Sequence, residues 1–263
     1  MIASILNLLP RDFPWTHSIQ YFPTIDSTNT RAKLLAAQGA PHGTVLIAGH
    51  QTGGRGRMGR SFHSPEGLGI YLSVILRPDC PAAALMHLTC ATGVAMCDAV
   101  EAAAGFRPGI KWTNDLIWGQ RKLGGILTEL ALKSDGTVDY AVVGIGINCC
   151  QQPDDFPPEI RDIAASLSMV CTPPVAPANL AAAMVAALHH MAATLFDGTW
   201  IPRYKADCIT VGKEISLVRG DEIRHGLAIG VDAQGALLVR FSDGHEEAVS
   251  SGEVSVRGMY GYV

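Results

Sequence analysis

The segment from Gly53 to Arg60, GGRGRMGR, is the feature that most constrains how this chain can fold. It holds four glycines and three arginines in eight residues, whereas the whole chain of 263 residues has only 20 lysines and arginines and a net charge of −4. Guanidinium groups so close together repel one another, and glycines let the backbone approach a ligand closely. Because the planar guanidinium fork suits phosphate, the segment is typical of an anion site.

A phosphate-binding P-loop is the first alternative, because residues 54–61 have its spacing with Arg60 in place of the usual lysine. A P-loop must lead into a helix. Here a loop-like stretch follows, and then Ile70–Leu76, whose β-branched and aromatic residues predict a strand. We therefore reject the P-loop and predict strand, basic loop and strand. Taken alone, the loop also fits a solvated basic surface or an RNA-binding segment.

Composition narrows the class of protein. Hydrophobic residues make up 48% of the chain and charged residues 17%, which is typical of a globular core. An isoelectric point near 6.1 argues against a general nucleic-acid binder and favours a compact phosphate-bearing ligand. Seven cysteines without a C-x-x-C spacing predict free thiols in a reducing cytosol, and the adjacent His189 and His190 make a poor metal pair.

Nothing at the N-terminus indicates a secretory signal, because the first ten residues lack a basic region and a cleavage site. The most membrane-like segment, Asn179–Phe196, is rich in alanine and contains two histidines, so we predict a buried helix there. We expect a cytoplasmic protein with no membrane partner.

The order of predicted elements divides the chain at about residue 211. The first part, residues 1–211, alternates strands and helices, and the second, residues 212–263, has short strands separated by turns such as Ser242–Gly244, which predicts a small β-barrel. Predicted strands are Ser18–Phe22, Thr44–Ala48, Ile70–Leu76, Ile110–Trp112, Leu116–Trp118, Lys122–Leu132, Thr137–Asn148, Glu214–Val218, His225–Val231, Leu237–Phe241, Glu246–Val249 and Val254–Arg257. Predicted helices are Thr30–Gln38, Pro81–Ala104, Pro158–Ser168, Pro177–Phe196 and Gly198–Cys208.

Four further motifs accompany the basic loop in a fixed order: DSTN at 26–29, KWTND at 111–115, RKLGGIL at 121–127 and GIGIN at 144–148. Together with QTGGRGRMGR at 51–60, they resemble the catalytic module of the biotin–protein ligases, the biotin–[acetyl-CoA-carboxylase] ligases, from about Ser18 to Asn148. The chain departs from the family pattern at Met58, Phe62 and Thr113, where many members have a polar residue, tryptophan and proline.

The resemblance implies an α+β fold: a mixed-sheet catalytic domain of the class II synthetase-like biotin/lipoate ligase type, followed by a small SH3-like β-barrel. It also implies a two-step reaction with ATP and Mg²⁺. Biotin and ATP give biotinyl-5′-AMP, and the biotinyl group then passes to a lysine of the biotin carboxyl carrier protein of acetyl-CoA carboxylase. The resemblance also allows a homodimer.

The same resemblance assigns roles to individual residues. Catalytic roles fall to Lys122, Arg57 and Asp115, and three roles stay open for Asp115: binding metal, orienting phosphate, or taking a proton from the acceptor lysine. Residues implied for biotin are Ser27, Thr28, Asn29, Gln51, Gly54, Arg55, Lys122 and Gly125. Residues implied for ATP or the adenylate are Arg55, Arg57, Arg60, Phe62, Asn114 and Asn148. Mg²⁺ is expected on the phosphates, with Asp115 as a candidate ligand, and Trp112 is expected in the core.

Some members of the family carry an N-terminal winged helix-turn-helix. Only about 17 residues precede the first predicted strand here, so we predict a monofunctional ligase that binds no DNA. A lipoate–protein ligase and a non-catalytic nucleotide- or RNA-binding module remain as alternatives. We also expect the basic loop to be mobile without ligand, because its arginines have no evident partner.

Overall fold

A computed structural model describes residues 1–250 and the backbone of residues 255–258. The larger unit is built on a seven-stranded sheet with the order β1-β2-β3-β7-β6-β5-β4. Strands β1 and β2 are parallel and the other neighbours antiparallel, so the sheet is mixed as predicted. The strands are β1 Ile19–Phe22, β2 Thr44–Ala48, β3 Gly69–Leu76, β4 Gly109–Lys111, β5 Asp115–Trp118, β6 Arg121–Leu132 and β7 Val138–Asn148.

Helices cover both faces of this sheet. The helices are α1 Ile2–Leu8, α2 Thr28–Ala37, α3 Leu88–Ala104, α4 Pro177–Thr194 and α5 Trp200–Asp207. Ala32 and Ala36 of α2 pack on Leu46 of β2 and Val142 of β7. Helices α3 and α4 pack together on the opposite face, where they bury the larger core. Because the interior strand β3 is covered on both sides, all eight of its residues are buried.

The helix predictions need three corrections. The helix predicted over Pro81–Ala104 is divided into a 3₁₀ segment, Ala82–Leu85, and α3. Helix α1 was not predicted, yet it buries Ile5 completely. No α-helix forms over Pro158–Ser168, because the backbone there pairs with β6: Lys122 N donates to Ile163 O at 2.7 Å, and Ala165 N donates to Lys122 O at 2.8 Å. Tertiary pairing has replaced local helix formation.

The stretch Ala82–Ala104 is long and apolar enough to cross a membrane by length and composition. However, 67% of its most apolar 18 residues are buried inside the protein. Core helices of soluble proteins can have the same length and composition. Trp112 is buried as predicted, and all seven cysteines are free.

The C-terminal unit is a five-stranded antiparallel sheet with the order β11-β10-β9-β8-β12. Its strands are β8 Glu214–Arg219, β9 Glu222–Val231, β10 Leu237–Phe241, β11 Glu246–Val249 and β12 Ser255–Gly258. The small β unit predicted from the short alternating segments is confirmed. Val254, the predicted start of the last strand, lies outside the described residues.

Candidate active site

A cleft opens where the start of α2 and the basic loop face strands β6 and β7. Most of the motifs that are far apart in sequence contribute to its walls. The lining residues are Ser27, Thr28, Asn29, Gln51, Arg55, Gly56, Arg57, Phe62, Asn114, Lys122, Gly125, Ile126, Leu127, Gly144, Ile145 and Gly146.

Neutral hydrogen bonds organise one end of the cleft, which we call the floor. Ser27 caps α2, and its Oγ accepts from Thr30 N at 3.5 Å. The side-chain oxygen of Gln51 accepts from Thr28 N at 2.8 Å and from Thr28 Oγ1 at 3.0 Å. The Gln51 nitrogen Nε2 donates to Ser64 Oγ at 3.1 Å. These bonds fix the orientation of the Gln51 amide.

Asn29 extends the floor, but its amide is occupied by protein groups. Ser73 Oγ donates to Asn29 Oδ1 at 2.6 Å, while Asn29 Nδ2 donates to Leu127 O at 3.3 Å and to Glu129 Oε2 at 3.1 Å. A Cβ atom on Gly144 would collide with this amide. Asn29 therefore supports the floor, and the glycine of the GIGIN motif makes room for it.

Charged groups form the other end, which we call the rim. Lys122 Nζ donates to Asp115 Oδ1 at 2.6 Å, and Asn114 Nδ2 donates to the same oxygen at 3.1 Å. A Cβ atom on Gly125 would lie 3.1 Å from Lys122 Nζ, so the glycine leaves space for this pair. The rim thus holds one ammonium group at the wall of the cleft, oriented by a neighbouring carboxylate.

The basic loop closes over the rim through Arg57. Its Nη1 donates to Asn114 Oδ1 at 2.9 Å and to Thr113 Oγ1 at 3.3 Å. Burial and the nearby charge of Arg60 lower the pKa of Arg57. The Asp115 carboxylate raises this pKa, but the net shift is downward. The loop contains one short 3₁₀ turn, Arg57–Gly59, and leads to β3 without an α-helix, so the rejection of the P-loop is confirmed.

Glu129 of β6 is a charged residue beside the floor that the sequence analysis missed. Its carboxylate accepts from Lys33 Nζ at 2.8 Å, from Asn29 at 3.1 Å and from Arg55 Nη1 at 3.1 Å. Burial tends to raise the Glu129 pKa, but the Lys33 and Asn29 hydrogen bonds and the Arg55 charge bring it below its ordinary value. The expectation that the loop arginines lack partners is therefore wrong for Arg55 and Arg57.

Several residues assigned from sequence lie outside the lining of the cleft. They are Gly54, Arg60, Asp115 and Asn148. Asn148 is buried and donates from Nδ2 to Ala165 O at 2.9 Å, while its Oδ1 accepts from Gln151 Nε2 at 3.2 Å. This placement favours a structural role for Asn148 in fastening residues 151–165. The remaining assigned residues all line the cleft, and their ligands stay predictions.

Sequence reasoning also left part of the lining unassigned: Gly56, Ile126, Leu127, Gly144, Ile145 and Gly146. The alternation of β6 could have found more of the site, because Gly125, Leu127 and Glu129 share one face of the strand. Phe62 lies within the cleft, where a Cβ atom on Gly146 would come 2.5 Å from its ring.

A dedicated metal cage is not part of this arrangement. Within residues 1–250, no group of three or more His, Cys, Asp or Glu side chains is placed to hold a metal ion. Mg²⁺ bound to a nucleotide usually needs one or two carboxylates besides phosphate oxygens, so a single carboxylate such as Asp115 fits that mode.

Comparison with known proteins agrees with this architecture. The biotin/lipoate A/B protein ligase family matches residues 21–148, and the biotin protein ligase C-terminal domain matches residues 210–257. The chain is 36% identical to the bifunctional ligase/repressor BirA of Bacillus spizizenii, over 88% of this chain and 72% of that protein. It is 33% identical to the biotin–[acetyl-CoA-carboxylase] ligase of Mycobacterium tuberculosis, over 87% of this chain and 85% of that one.

A solved structure extends the likeness to the whole architecture. The biotin protein ligase from Aquifex aeolicus, in complex with biotin and ATP, is 27% identical and superposes with a TM-score of 0.78, covering 92% of this chain and 99% of that one. The two proteins thus share the fold, both the mixed sheet and the small C-terminal β unit. The chain belongs to the biotin protein ligase family.

Proposed function

We propose that this chain joins biotin to ATP as biotinyl-5′-AMP and transfers the biotinyl group to a lysine of a biotin carboxyl carrier protein. One observation supports this above all: a single cleft has a floor of fixed neutral donors and acceptors and a rim with Arg57 and Lys122. A ligand with a neutral polar ring at one end and a carboxylate at the other matches this polarity. Similarity to ligases solved with biotin and ATP supports the same ligand.

The floor suits a ureido ring. Gln51 uses its oxygen on Thr28 and one amide hydrogen on Ser64, which leaves the second Nε2 hydrogen to donate to a ligand. Ser27 Oγ accepts from a backbone N–H, so its hydroxyl proton can be donated as well. Two donors converging on one site favour a ligand carbonyl. Ile126 and Leu127 supply apolar wall for the rest of the biotin molecule.

The rim makes the first step feasible. A carboxylate and a triphosphate repel each other, so the reaction needs fixed positive charge where they meet. Arg57 and Lys122 supply it, and Asp115 holds the Lys122 ammonium in place. A carboxylate oxygen of biotin attacks the α-phosphorus, the bond to the β-phosphate breaks, and pyrophosphate leaves. When bound, Mg²⁺ would neutralise charge on the phosphate oxygens, and Asp115 would be its protein carboxylate.

The second step transfers the acyl group. The neutral ε-amine of the acceptor lysine attacks the acyl carbon of the mixed anhydride, and AMP leaves with the bonding electrons. The nitrogen then loses a proton, and we assign the Asp115 carboxylate, the partner of Lys122, as its acceptor. The bond between the basic loop and Asn114, made by Arg57, keeps water from the anhydride until the acceptor arrives.

The direct test incubates the purified chain with ATP, Mg²⁺, biotin and a biotin carboxyl carrier domain, followed by intact-mass analysis. We expect the carrier to gain one biotinyl group only when ATP is present. A carrier with arginine in place of its acceptor lysine is the matched control and should gain nothing. Gain with lipoate alone would assign the lipoate ligase activity, and no gain with either acid would contradict the proposal.

A further inference from the structure

Trp112 connects the C-terminal β unit to the rim of the cleft. Its indole is 4% exposed, and both of its N–H groups bond to residues near or within that unit. The backbone N–H donates to Thr210 Oγ1 at 2.9 Å, and the indole Nε1–H donates to Gly235 O at 2.9 Å. Both hydrogen bonds are buried, so water does not compete for their donors and acceptors.

The turn that carries Gly235 is itself rigid. Asp232 Oδ1 accepts from Gln234 N at 2.8 Å and from Ala236 N at 2.9 Å, and Asp232 N donates to Ala236 O at 3.0 Å. Gly235 has a φ of 82°, and a Cβ atom there would lie 2.8 Å from the sulfur of Cys90 in α3. Only a glycine therefore presents this carbonyl so close to α3 and Trp112.

The residues that follow Trp112 are those of the rim. Thr113 accepts from Arg57 through Oγ1 and from the Tyr204 hydroxyl through its carbonyl, at 3.3 Å and 3.4 Å. Asn114 and Asp115 come next and bond to Arg57 and Lys122. The position of Trp112 thus sets the start of the short turn that carries both side chains.

We propose that the C-terminal β unit positions the catalytic turn, residues 113–115, by holding Trp112 through Gly235 and Thr210. In this role Trp112, Thr210 and Gly235 are positioning residues. The kinetic consequence of this inference rests on the proposed function. Asp115 orients Lys122 and Asn114 binds Arg57. These two cations therefore meet the reacting groups only if the turn keeps its position. This positioning explains why a β unit outside the cleft is hydrogen-bonded to the residue that precedes the catalytic turn.

The test compares Trp112→Phe with Trp15→Phe. Trp15 is a matched control, because it is 6% exposed and its ring packs on Phe13, His42 and His189. We expect Trp112→Phe to lower kcat for biotinyl-AMP formation by about tenfold to a hundredfold, as misplaced catalytic groups do. The KM for biotin should change by less than about twofold, because the floor makes no bond to Trp112. Equal kinetic effects of the two variants would overturn the inference.

A second pair of variants acts from within the C-terminal unit. Gly235→Ala and Gly244→Ala both place a methyl group at a positive φ, 82° and 85°, but only Gly235 has atoms within 4 Å of the added carbon. Gly235→Ala should lower kcat for adenylate formation, and Gly244→Ala should leave it at the native value. A kcat for Gly235→Ala equal to that of the control would contradict the proposal.

Hydrogen exchange provides a readout that does not depend on the activity. Amides of residues 113–115 should exchange faster in Trp112→Phe and Gly235→Ala than in their controls, while those of α2 stay unchanged. Unchanged exchange at residues 113–115 would overturn the inference even if the native chain made no biotinyl-AMP. Failure of the native chain in the carrier assay would instead count against the proposed function.

Discussion

The floor and the rim of the cleft are held together in different ways. On the floor, Ser27, Thr28 and Asn29 are buried at 3–4% exposure and bond mainly to uncharged groups, apart from one bond from Asn29 to the Glu129 carboxylate. At the rim, charged side chains meet in ion pairs and keep partial contact with solvent: Lys122 is 28% exposed and its partner Asp115 is 16% exposed. Neutral networks fix shape, whereas ionic pairs at a solvent boundary exchange partners at low cost.

This difference assigns separate tasks to the two ends. Under the proposed function, the floor binds the ureido ring, which stays neutral in both steps, so it can remain rigid. The rim would accept phosphate, release pyrophosphate and later release AMP, so its cations need partners that a ligand can replace. Changes at the rim should therefore alter rates, and changes on the floor should alter affinity for biotin.

The largest effect should follow Lys122→Ala. Loss of the ammonium removes charge stabilisation at the reacting phosphate and leaves the Asp115 carboxylate without its closest cation. We expect adenylate formation, measured as pyrophosphate release, to slow by about 10²–10³-fold. Biotin binding without ATP, measured by calorimetry, should weaken by only about fivefold, because one partly exposed ion pair with the biotin carboxylate is lost. Lys133→Ala, at an exposed lysine just after β6, is the control, and a Lys122→Ala rate near that control would break the distinction between the two ends.

Gln51→Ala should give the opposite pattern. It leaves the Thr28 N–H and hydroxyl without their acceptor and removes the donor to the ligand. Because a buried ligand carbonyl that loses its donor costs about 1–3 kcal/mol, the biotin dissociation constant should rise by about 10- to 100-fold. The kcat at saturating biotin should stay within about threefold of native. Gln20→Ala on exposed β1 is the control, and a fall in kcat with unchanged biotin affinity would contradict the role of the floor.

How far the sequence predicts each region follows from the range of its contacts. Strands β2 and β3 beside the basic loop were predicted, because apolar runs and turn residues act locally. The C-terminal strands were predicted for the same reason. The Pro158–Ser168 segment was not, because its hydrogen-bond partners lie on β6, about 40 residues away in sequence.

Within the site, motif order brought together most of the residues that line the cleft. It did not reveal Glu129, whose partner Arg55 is 74 residues away and whose partner Asn29 is 100 residues away. Motif order also did not show that the amides of Asn29 and Asn148 bond to protein groups. The type of a side chain does not specify its hydrogen-bond partners. Such pairings follow from packing of the sheet against α2 and the loop.

Arg57→Gly sharpens the comparison at the point where the rim closes. The change removes the bonds from the basic loop to Thr113 and Asn114, so the loop should open more often. We expect biotinyl-AMP to dissociate about tenfold faster, since one or two hydrogen bonds to a closing loop are lost. Escaped adenylate is detected as biotin on lysines of an added bystander protein. Arg11→Gly, in an exposed turn, should cause no biotinylation of the bystander protein. Retention of the adenylate by Arg57→Gly would contradict the role of Arg57 in closing the loop.

The smallest effect should come from Glu129→Gln, which keeps an acceptor but removes the charge that Lys33 and Arg55 share. Because these partners are 40–43% exposed, the free energy of unfolding should fall by only about 1 kcal/mol at pH 7. The pKa of Glu129 is lower in the folded protein than its ordinary 4.5, so its contribution is present above that value and is lost as the pH falls through the folded pKa. Urea unfolding should therefore separate native and variant at pH 7 and bring them together in acid. Glu247→Gln, which removes a single pair with Arg224, is the control. A gap between native protein and Glu129→Gln that persists in acid would show that Glu129 stabilises the protein through neutral hydrogen bonds and packing, as the floor residues do, and not through its charge.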